Sequence, residues 1–298
     1  MELRHICGDT YAIEGKGAVI GLYRLNEQDI VLMDSGVRRT DREDLDALIA
    51  DNGFTVKGIF CSHAHYDHSG NTAHLRARWS ALTCAQIIEA GIAATPEAYH
   101  ANYPYTTYAQ CREWFSEECF PTDVIIGRND NHVCFCGVDF GIVQLPGHAA
   151  GQIGIITPDN VAYLADCLIG PNTLRASKLP TSMCIEDDLK SKEKVRTLGC
   201  RAYILAHHDV IEGDIGPTVD ANLAFYHRKA RELLDCLADG MTADQWRSVL
   251  SEAMGFRTHN DFKLGVIRRN FGSFLLYLED MGRISVHWDN CTKHYYHV

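Results

Sequence analysis

The stretch KGIFCSHAHYDHSG, residues 57–70, decides how the rest of the chain is interpreted. Its apolar first half predicts a short buried strand. Four potential metal ligands follow that strand: His63, His65, Asp67 and His68. His63 and His65 are two residues apart, so an extended backbone would point both imidazoles to the same side. Imidazole and carboxylate groups suit zinc and other borderline divalent metals, and the stretch therefore predicts a metal site at the mouth of a strand.

The segments around this stretch alternate between strand and helix patterns. Residues 10–36 predict three short strands, and residues 123–168 predict several more. Between them, Thr40 and Glu43 have the spacing of a capping box and predict a helix that begins at Thr40 and ends near Gly53. This alternation predicts an α/β fold.

The predicted secondary structure changes from alternating strands and helices to mainly helices after Pro217. Three helical patterns follow, and then RISVHWDNCTKHYYHV, residues 283–298, predicts a β-hairpin around Asp289-Asn290. The net charge changes at the same place, from −11 over residues 1–217 to zero over residues 218–298. We therefore expect two domains, a catalytic domain at 1–217 and a small, mainly helical domain at 218–298.

Two local patterns in the second domain predict a helix start and an apolar face on the hairpin. Thr242 and Gln245 form a second capping box, which predicts a helix start. Ile284, Val286 and Trp288 alternate along the first hairpin strand and share one face. We expect that face to be buried against the domain's own helices, the catalytic domain or a second subunit of a homodimer.

Composition excludes several classes of protein. The chain has 298 residues, 46% of them hydrophobic and 22% charged, which excludes disorder and collagen-like structure. A net charge of −11 disfavours binding to nucleic acid or to an anionic membrane. No apolar run reaches the roughly 18–20 residues needed to span a bilayer, and the N-terminus lacks the pattern of a signal peptide. The twelve cysteines form no Cys-x-x-Cys pair and fit free thiols in a reducing compartment. We expect a cytoplasmic protein.

The His-x-His-x-Asp-His motif resembles the signature of the metallo-β-lactamase superfamily. Other motifs of that family occur in the expected order over residues 29–209: Asp34 in VLMDSG, His148 in LPGHAAGQIG, Asp166 in AYLADCL and His208 in YILAHHDV. The resemblance implies a four-layer αββα sandwich with the metals at one edge of its two sheets. It also implies that Asp34 supports the site without binding metal. The C-terminal domain resembles, more weakly, the winged-helix-like appendage of some members.

The resemblance further implies a complete set of ligands for two metals. The first metal would be bound by His63, His65 and His148. The second would be bound by Asp67, His68 and His208. Asp166 would bridge the two.

Two alternatives remain at single positions. His207 and His208 compete for the last ligand, and aligning the preceding Leu205 with the family's Leu-Pro-Gly-His places the ligand at His208. A slip of one residue at Asp166 would bring the Cys167 thiolate to the metals instead.

The function implied by the resemblance is that of a dinuclear metal hydrolase. Asp166 stands where the secreted β-lactamases usually have Cys or Ser, and His65 stands where the flavodiiron oxidoreductases have Glu. Similar ligand sets occur in glyoxalase II, lactonases and phosphodiesterases. We expect a metal-bridging hydroxide, oriented by Asp67, to attack a small ester, thioester or lactone. The cofactors would be two divalent ions, zinc first, with iron or manganese compatible with the same nitrogen and oxygen ligands.

The alternative functions and the role of the aromatic segment stay open at this point. A phosphodiesterase or nuclease could use the same metals, and a winged-helix regulator with a vestigial enzyme domain is a third hypothesis. The aromatic segment, residues 95–120, either packs over the sandwich or forms one wall of a substrate pocket. We expect a small-molecule substrate and neither nucleic acid nor membrane as partner.

Overall fold

Two mixed β-sheets form the centre of the fold in the computed structural model, which describes residues 1–207 and 209–298. The first sheet contains seven strands in chain order: β1 (Glu2–Cys7), β2 (Thr10–Glu14), β3 (Val19–Arg24), β4 (Asp29–Met33), β5 (Thr55–Cys61), β6 (Leu82–Gln86) and β7 (Val124–Ile126). Strands β1 to β4 pair antiparallel, and β4 to β7 pair parallel. The three short strands expected in residues 10–36 are confirmed as β2, β3 and β4.

The second sheet contains six strands: β8 (His132–Phe135), β9 (Val138–Gln144), β10 (Ile153–Ile156), β11 (Val161–Tyr163), β12 (Ala202–Leu205) and β13 (Asp209–Glu212). Its order is β13-β12-β11-β10-β9-β8. The pair β11 and β12 is parallel, and the other neighbouring pairs are antiparallel.

Helices cover the outer faces of both sheets and build the C-terminal part of the chain. Their bounds are α1 (Arg38–Asp51), α2 (Tyr66–Ser69), α3 (Thr72–Trp79), α4 (Ile87–Ala93), α5 (Pro96–Tyr99), α6 (Tyr108–Phe115), α7 (Pro171–Ala176), α8 (Ile185–Val195), α9 (Gly216–Asp235), α10 (Ala243–Ala253) and α11 (Asp261–Asp280). The hairpin strands β14 (Ile284–Asp289) and β15 (Thr292–His297) follow. No helix in the described ranges is long and apolar enough to cross a membrane.

Side-chain alternation assigns the two faces of each sheet to different cores. On β4, Val31 and Met33 pack between the sheets, whereas Ile30 and Leu32 pack on the outer side with residues of α1. On β12, Ile204 points between the sheets, whereas Tyr203 packs with residues of α8 and α9. The result is a helix, sheet, sheet and helix layering, which confirms the predicted αββα sandwich.

The C-terminal helices and hairpin share a core with the last part of the preceding chain. Helix α9 begins at Gly216, close to the predicted boundary after Pro217. Trp246 and Phe274 are buried in this core, together with Leu174 and Ile185 from before the boundary. Helical structure ending in a β-hairpin is confirmed, whereas the division into two domains and the winged-helix likeness stay predictions.

The expected burial of the hairpin face is met only in part within the chain. Ile284 is buried and Val286 is half-buried, but Trp288 is 65% exposed. Burial falls along the strand towards the turn, where the Lys293 ammonium lies 5.4 Å from the centroid of the Trp288 ring. The face is therefore covered by the chain's own helices near Ile284, and burial of Trp288 by a second subunit stays a prediction.

The two capping boxes had different outcomes. At the start of α10, the Thr242 hydroxyl accepts from the Gln245 N–H and the Gln245 side chain accepts from the Thr242 N–H, as predicted. Helix α1, however, begins at Arg38 and not after Thr40. The Asp41 carboxylate, which is buried, accepts a 2.8 Å hydrogen bond from the Val37 N–H. The N-cap is therefore Val37, three residues before the N-cap at Thr40 that the capping box predicted.

The aromatic segment, residues 95–120, shares a core with residues of β5, β6 and α4 beside the metal motif. The rings of Tyr99 and Tyr103 stack on Phe115 with centroid distances of 4.8 and 5.1 Å. Phe262 of α11 packs on Tyr103 at 5.4 Å. A Cβ atom on Gly265 would lie 2.1 Å from the Tyr105 ring, so the close contact between α11 and this segment requires glycine there.

We expect Trp246→Ala to lower the free energy of unfolding by about 3–5 kcal/mol, because Trp246 is fully buried and its indole N–H donates to the Leu233 carbonyl. Trp288→Ala should cost about 1 kcal/mol or less, since that ring is exposed. Urea unfolding of both variants measures the difference, with Trp246→Phe in reserve if the alanine variant does not fold. Equal costs at the two positions would contradict the packing described here.

Candidate metal centre

Three histidines from two loops meet at the edge of the sheets. His63 and His65 follow β5, and His148 lies in the loop between β9 and β10. His65 Nδ1 lies 3.0 Å from His63 Nε2 and 3.0 Å from His148 Nε2. Burial lowers the pKa of all three imidazoles. They are therefore neutral near pH 7, the form in which histidine binds metal.

A second group lies beside the first and contains Asp67, His68 and His207, whose ligand atoms lie within 4.8 Å of one another. His207 Nε2 lies 3.8 Å from Asp67 Oδ2. The sequence analysis placed the last ligand at His208, which lies outside the described residues. Its neighbour His207, expected there to be a supporting residue, is the histidine that the described structure brings to this group.

Asp166 lies between the two groups. Its Oδ1 is 3.2 Å from His68 Nε2, and its Oδ2 is 3.3 Å from both His148 Nε2 and His207 Nε2. Burial opposes ionisation of this carboxyl, but the electrostatic effect of the neighbouring imidazoles, that of His207 first, holds its pKa well below the usual range. The neighbouring Cys167 thiol is buried, and this burial raises its pKa to about 12.

Unsatisfied polar atoms show that this cluster fits a metal. His65 Nε2 is buried and makes no hydrogen bond among the described residues, and His68 Nε2 and Asp166 Oδ1, although 3.2 Å apart, do not meet hydrogen-bond geometry. Such atoms are costly to bury without a partner. Imidazole nitrogens and carboxylate oxygens converging on one place are the donor set that zinc, iron and manganese accept.

Asp34 fixes the orientation of the second group. Its side chain is buried at the end of β4 and accepts from the Ser62 N–H at 2.7 Å, the Ser62 hydroxyl at 2.6 Å and the Tyr163 hydroxyl at 2.8 Å. Its Oδ2 is also 2.7 Å from His68 Nδ1. The backbone of Asp34 has a φ of 67°, a strained value for a residue other than glycine. The role implied for it, support without metal binding, agrees with these contacts because its oxygens are already occupied.

Glu89 joins the two loops that bear the first group. Its Oε2 accepts from the Ala64 N–H at 2.8 Å and its Oε1 from the Gly151 N–H at 2.7 Å. Burial raises the pKa of this carboxyl, although the two N–H groups act in the opposite direction. The carboxylate thus sets the distance between the His63–His65 loop and the loop of His148.

Close backbone packing positions His148. Gly147 has a φ of 132°, and a Cβ there would lie 2.2 Å from the Asp188 Cα, so only glycine fits. The ring is oriented by a 2.9 Å contact between its Nδ1 and the Thr181 carbonyl.

A cavity of about 250 Å³ opens onto the cluster. Tyr103 of the aromatic segment lines one wall, so this segment both packs on the sandwich and bounds the cavity. The C-terminal helices supply further walls: Tyr226, Phe262, Val266 and Arg269.

Sequence reasoning missed several of these residues. Glu89 carried a faint signal, as the one acid in the apolar pattern AQIIEAGI. Tyr163 and Arg269 carried none, because their roles depend on contacts with residues far away in the chain, such as Asp34 and Asn102.

An αββα sandwich with clustered histidines and aspartates at the edge of its sheets defines a metal-dependent hydrolase. The family model of the metallo-beta-lactamase superfamily matches residues 15–207, about two-thirds of the chain. The chain belongs to this superfamily.

Solved structures show the same fold over the whole chain. A metallo-beta-lactamase family protein from Thermus thermophilus has a TM-score of 0.73 at 19% identity, covering 97% of this chain and 99% of that one. A beta-lactamase domain protein from Burkholderia ambifaria has a TM-score of 0.72 at 14% identity, covering 100% and 94%. Both likenesses include the C-terminal helices and hairpin.

One curated relative is similar to this chain over only part of its own length. The atrochrysone carboxyl ACP thioesterase of Aspergillus fumigatus is 24% identical over 207 residues, which is 68% of this chain. The aligned part spans 55% of that relative's length.

We expect Glu89→Gln to lower the free energy of unfolding by about 1–3 kcal/mol, because the new amide group would turn a donor towards one of the two buried N–H groups. Glu113→Gln, an exposed change of the same kind on α6, is the matched control. Urea unfolding of both variants tests this. A variant at Glu89 as stable as the control would show that the carboxylate does not hold the loops.

Proposed function

We propose that the protein hydrolyses a small thioester, ester or lactone with two divalent metal ions, and that a thioester is its substrate. The observation that carries this proposal is the position of Asp166, whose two oxygens face histidines of both groups at the base of the cavity.

The two groups supply ligands for two ions. His63, His65 and His148 would hold the first, and Asp67, His68 and His207 the second. Asp166 would bridge them. When bound, the ions would lower the pKa of a water molecule from about 15.7 towards 7 and polarise the substrate carbonyl.

The protein's own residues would orient the reactants. The Asp67 carboxylate lines the cavity and is partly exposed, so it can accept a hydrogen bond from the attacking water and direct its lone pair. Tyr103 and Phe262 form apolar walls that exclude bulk water from the acyl group. In the reaction, the water oxygen bonds to the carbonyl carbon and the carbon–sulfur bond breaks. The thiol leaves with one proton and the carboxylic acid loses the other.

Two observations favour a thioester over a phosphodiester. The Aspergillus fumigatus relative acts on an acyl-carrier-protein thioester by its name, although this chain spans only 55% of it. The net charge of −11 opposes a long polyanionic substrate such as nucleic acid. A small molecule is therefore the proposed partner.

We expect metal analysis of protein purified without chelator to approach two equivalents per chain, with zinc, iron and manganese all measured. His207→Ala should lose most of one equivalent, because His207 lies against Asp166 and Asp67. His208→Ala is the matched control, since it removes the same group one position further along. A wild-type value of one equivalent would contradict the dinuclear site. If the His208 variant alone loses metal, His208 and not His207 is the metal ligand.

We expect the wild type to hydrolyse acyl thioesters of N-acetylcysteamine, and Asp166→Asn to reduce kcat/KM by orders of magnitude while it keeps the fold. The substitution removes the negative charge between the two groups at constant size. Turnover is measured by thiol release, beside a lactone and bis(p-nitrophenyl) phosphate, with circular dichroism as the folding control. Turnover of the phosphodiester without the thioester would favour the phosphodiesterase alternative.

A further inference from the structure

Arg269 of α11 brings a positive charge into the cavity beside the metal cluster. Its guanidinium lines the same cavity as His65, His148 and Asp166. One of its donors, Nη1, is bound to the Asn102 carbonyl at 3.0 Å. Its Nε is buried and makes no hydrogen bond with any described residue. Arg269 therefore lines the cavity and retains donors that no described residue occupies.

Arg269 differs in this respect from three other buried or half-buried cations of the chain. Lys192 lies against Asp188, and Arg38 lies 3.0 Å from Glu118. Lys229 lies 2.8 Å from Glu232. Within residues 1–207 and 209–298, no carboxylate lies within ion-pair distance of Arg269. A partly buried cation without a counter-charge is costly, and a bound anion would remove that cost.

The position of Arg269 is fixed by the loop that also orients a metal ligand. Asn270 Nδ2 donates to the Thr181 hydroxyl at 3.3 Å, and the Ser273 hydroxyl donates to the Ser182 carbonyl at 2.7 Å. The Thr181 carbonyl orients His148. The guanidinium and the metal cluster are thus held at a set distance, as recognition of one ligand by both requires.

We propose that Arg269 binds an anionic group, a carboxylate or a phosphate, which the substrate carries in addition to the bond that is hydrolysed. This inference rests on the proposed function and deepens it, because it assigns an anionic thioester as the substrate class. The group could belong to the acyl part, as the free carboxylate of a dicarboxylic acid thioester. It could equally belong to the thiol part, as the phosphate of a phosphopantetheine arm.

Kinetics with matched substrates distinguish the two sources. Butyryl and succinyl thioesters of N-acetylcysteamine have the same chain and differ by a methyl group against a carboxylate on the acyl side. Acetyl-pantetheine and acetyl-phosphopantetheine differ by a phosphate on the thiol side. We expect one of the anionic substrates to exceed its neutral counterpart in kcat/KM by about tenfold or more, the usual scale of a charge-assisted hydrogen bond.

Variants of one helix test whether Arg269 causes this preference. Arg269→Gln should abolish the ratio of anionic to neutral kcat/KM, and Arg269→Lys should keep part of it. Arg268→Gln makes the same change of charge at the exposed neighbouring position and should keep the whole ratio. Melting temperatures show whether each variant is folded. If Arg269→Gln does not fold, the ratio of anionic to neutral kcat/KM in the wild type and in Arg269→Lys still tests the role of Arg269.

A binding measurement separates this inference from the proposed function. Thioether analogues, in which a methylene replaces the carbonyl, are titrated into the holoenzyme by calorimetry with an anionic group or a neutral amide at the same place. If no thioester is hydrolysed, the proposed function fails while the binding contrast still tests Arg269. Equal affinities of the anionic and neutral analogues, or a preference that survives in Arg269→Gln, would overturn the inference.

Discussion

The buried Asp34 carboxylate ties the two sheets together at the edge where the metal ligands meet. It accepts from Ser62 in its own sheet and from the Tyr163 hydroxyl in the opposite sheet. A buried carboxylate is stable only when donors surround it, so these groups must stay in place for the edge to keep its shape. Because Asp34 also orients His68, this one charge links the packing of the two sheets to the position of a metal ligand.

Parallel strand pairs explain why the cluster forms at that edge. In the first sheet β4 and β5 run parallel, and Asp34 and His63 follow their carboxyl ends. In the second sheet β11 and β12 run parallel, and Asp166 and His207 follow theirs. Adjacent parallel strands end at the same edge, so each pair delivers two polar side chains to one place. Glu89 then links the loop of His63 to that of His148, which follows an antiparallel strand.

Much of the fold and most of the cluster could be predicted from sequence because their signals are local. The His63 to His68 motif, the alternation along β4 and the box at Thr242 each lie within a few residues. The helix start predicted from the capping box at Thr40 is wrong, because the buried Asp41 carboxylate accepts from the Val37 N–H and the helix begins at Arg38. Alternation along β14 predicts which side chains share a face but not how far the rest of the chain covers them, and Trp288 is exposed within the chain. The choice between His207 and His208 depends on a one-residue register that no spacing rule fixes.

The walls of the cavity could not be predicted, since they depend on contacts between distant parts of the chain. Tyr226, Phe262 and Arg269 lie beyond residues 15–207, the part that the superfamily model matches. The net charge of zero over residues 218–298 also hides their effect, because an average cannot show that one guanidinium faces the cavity. The matched part therefore supplies the metal ligands and the reaction class. The C-terminal helices add side chains to the walls of the cavity, and family membership alone does not identify the substrate.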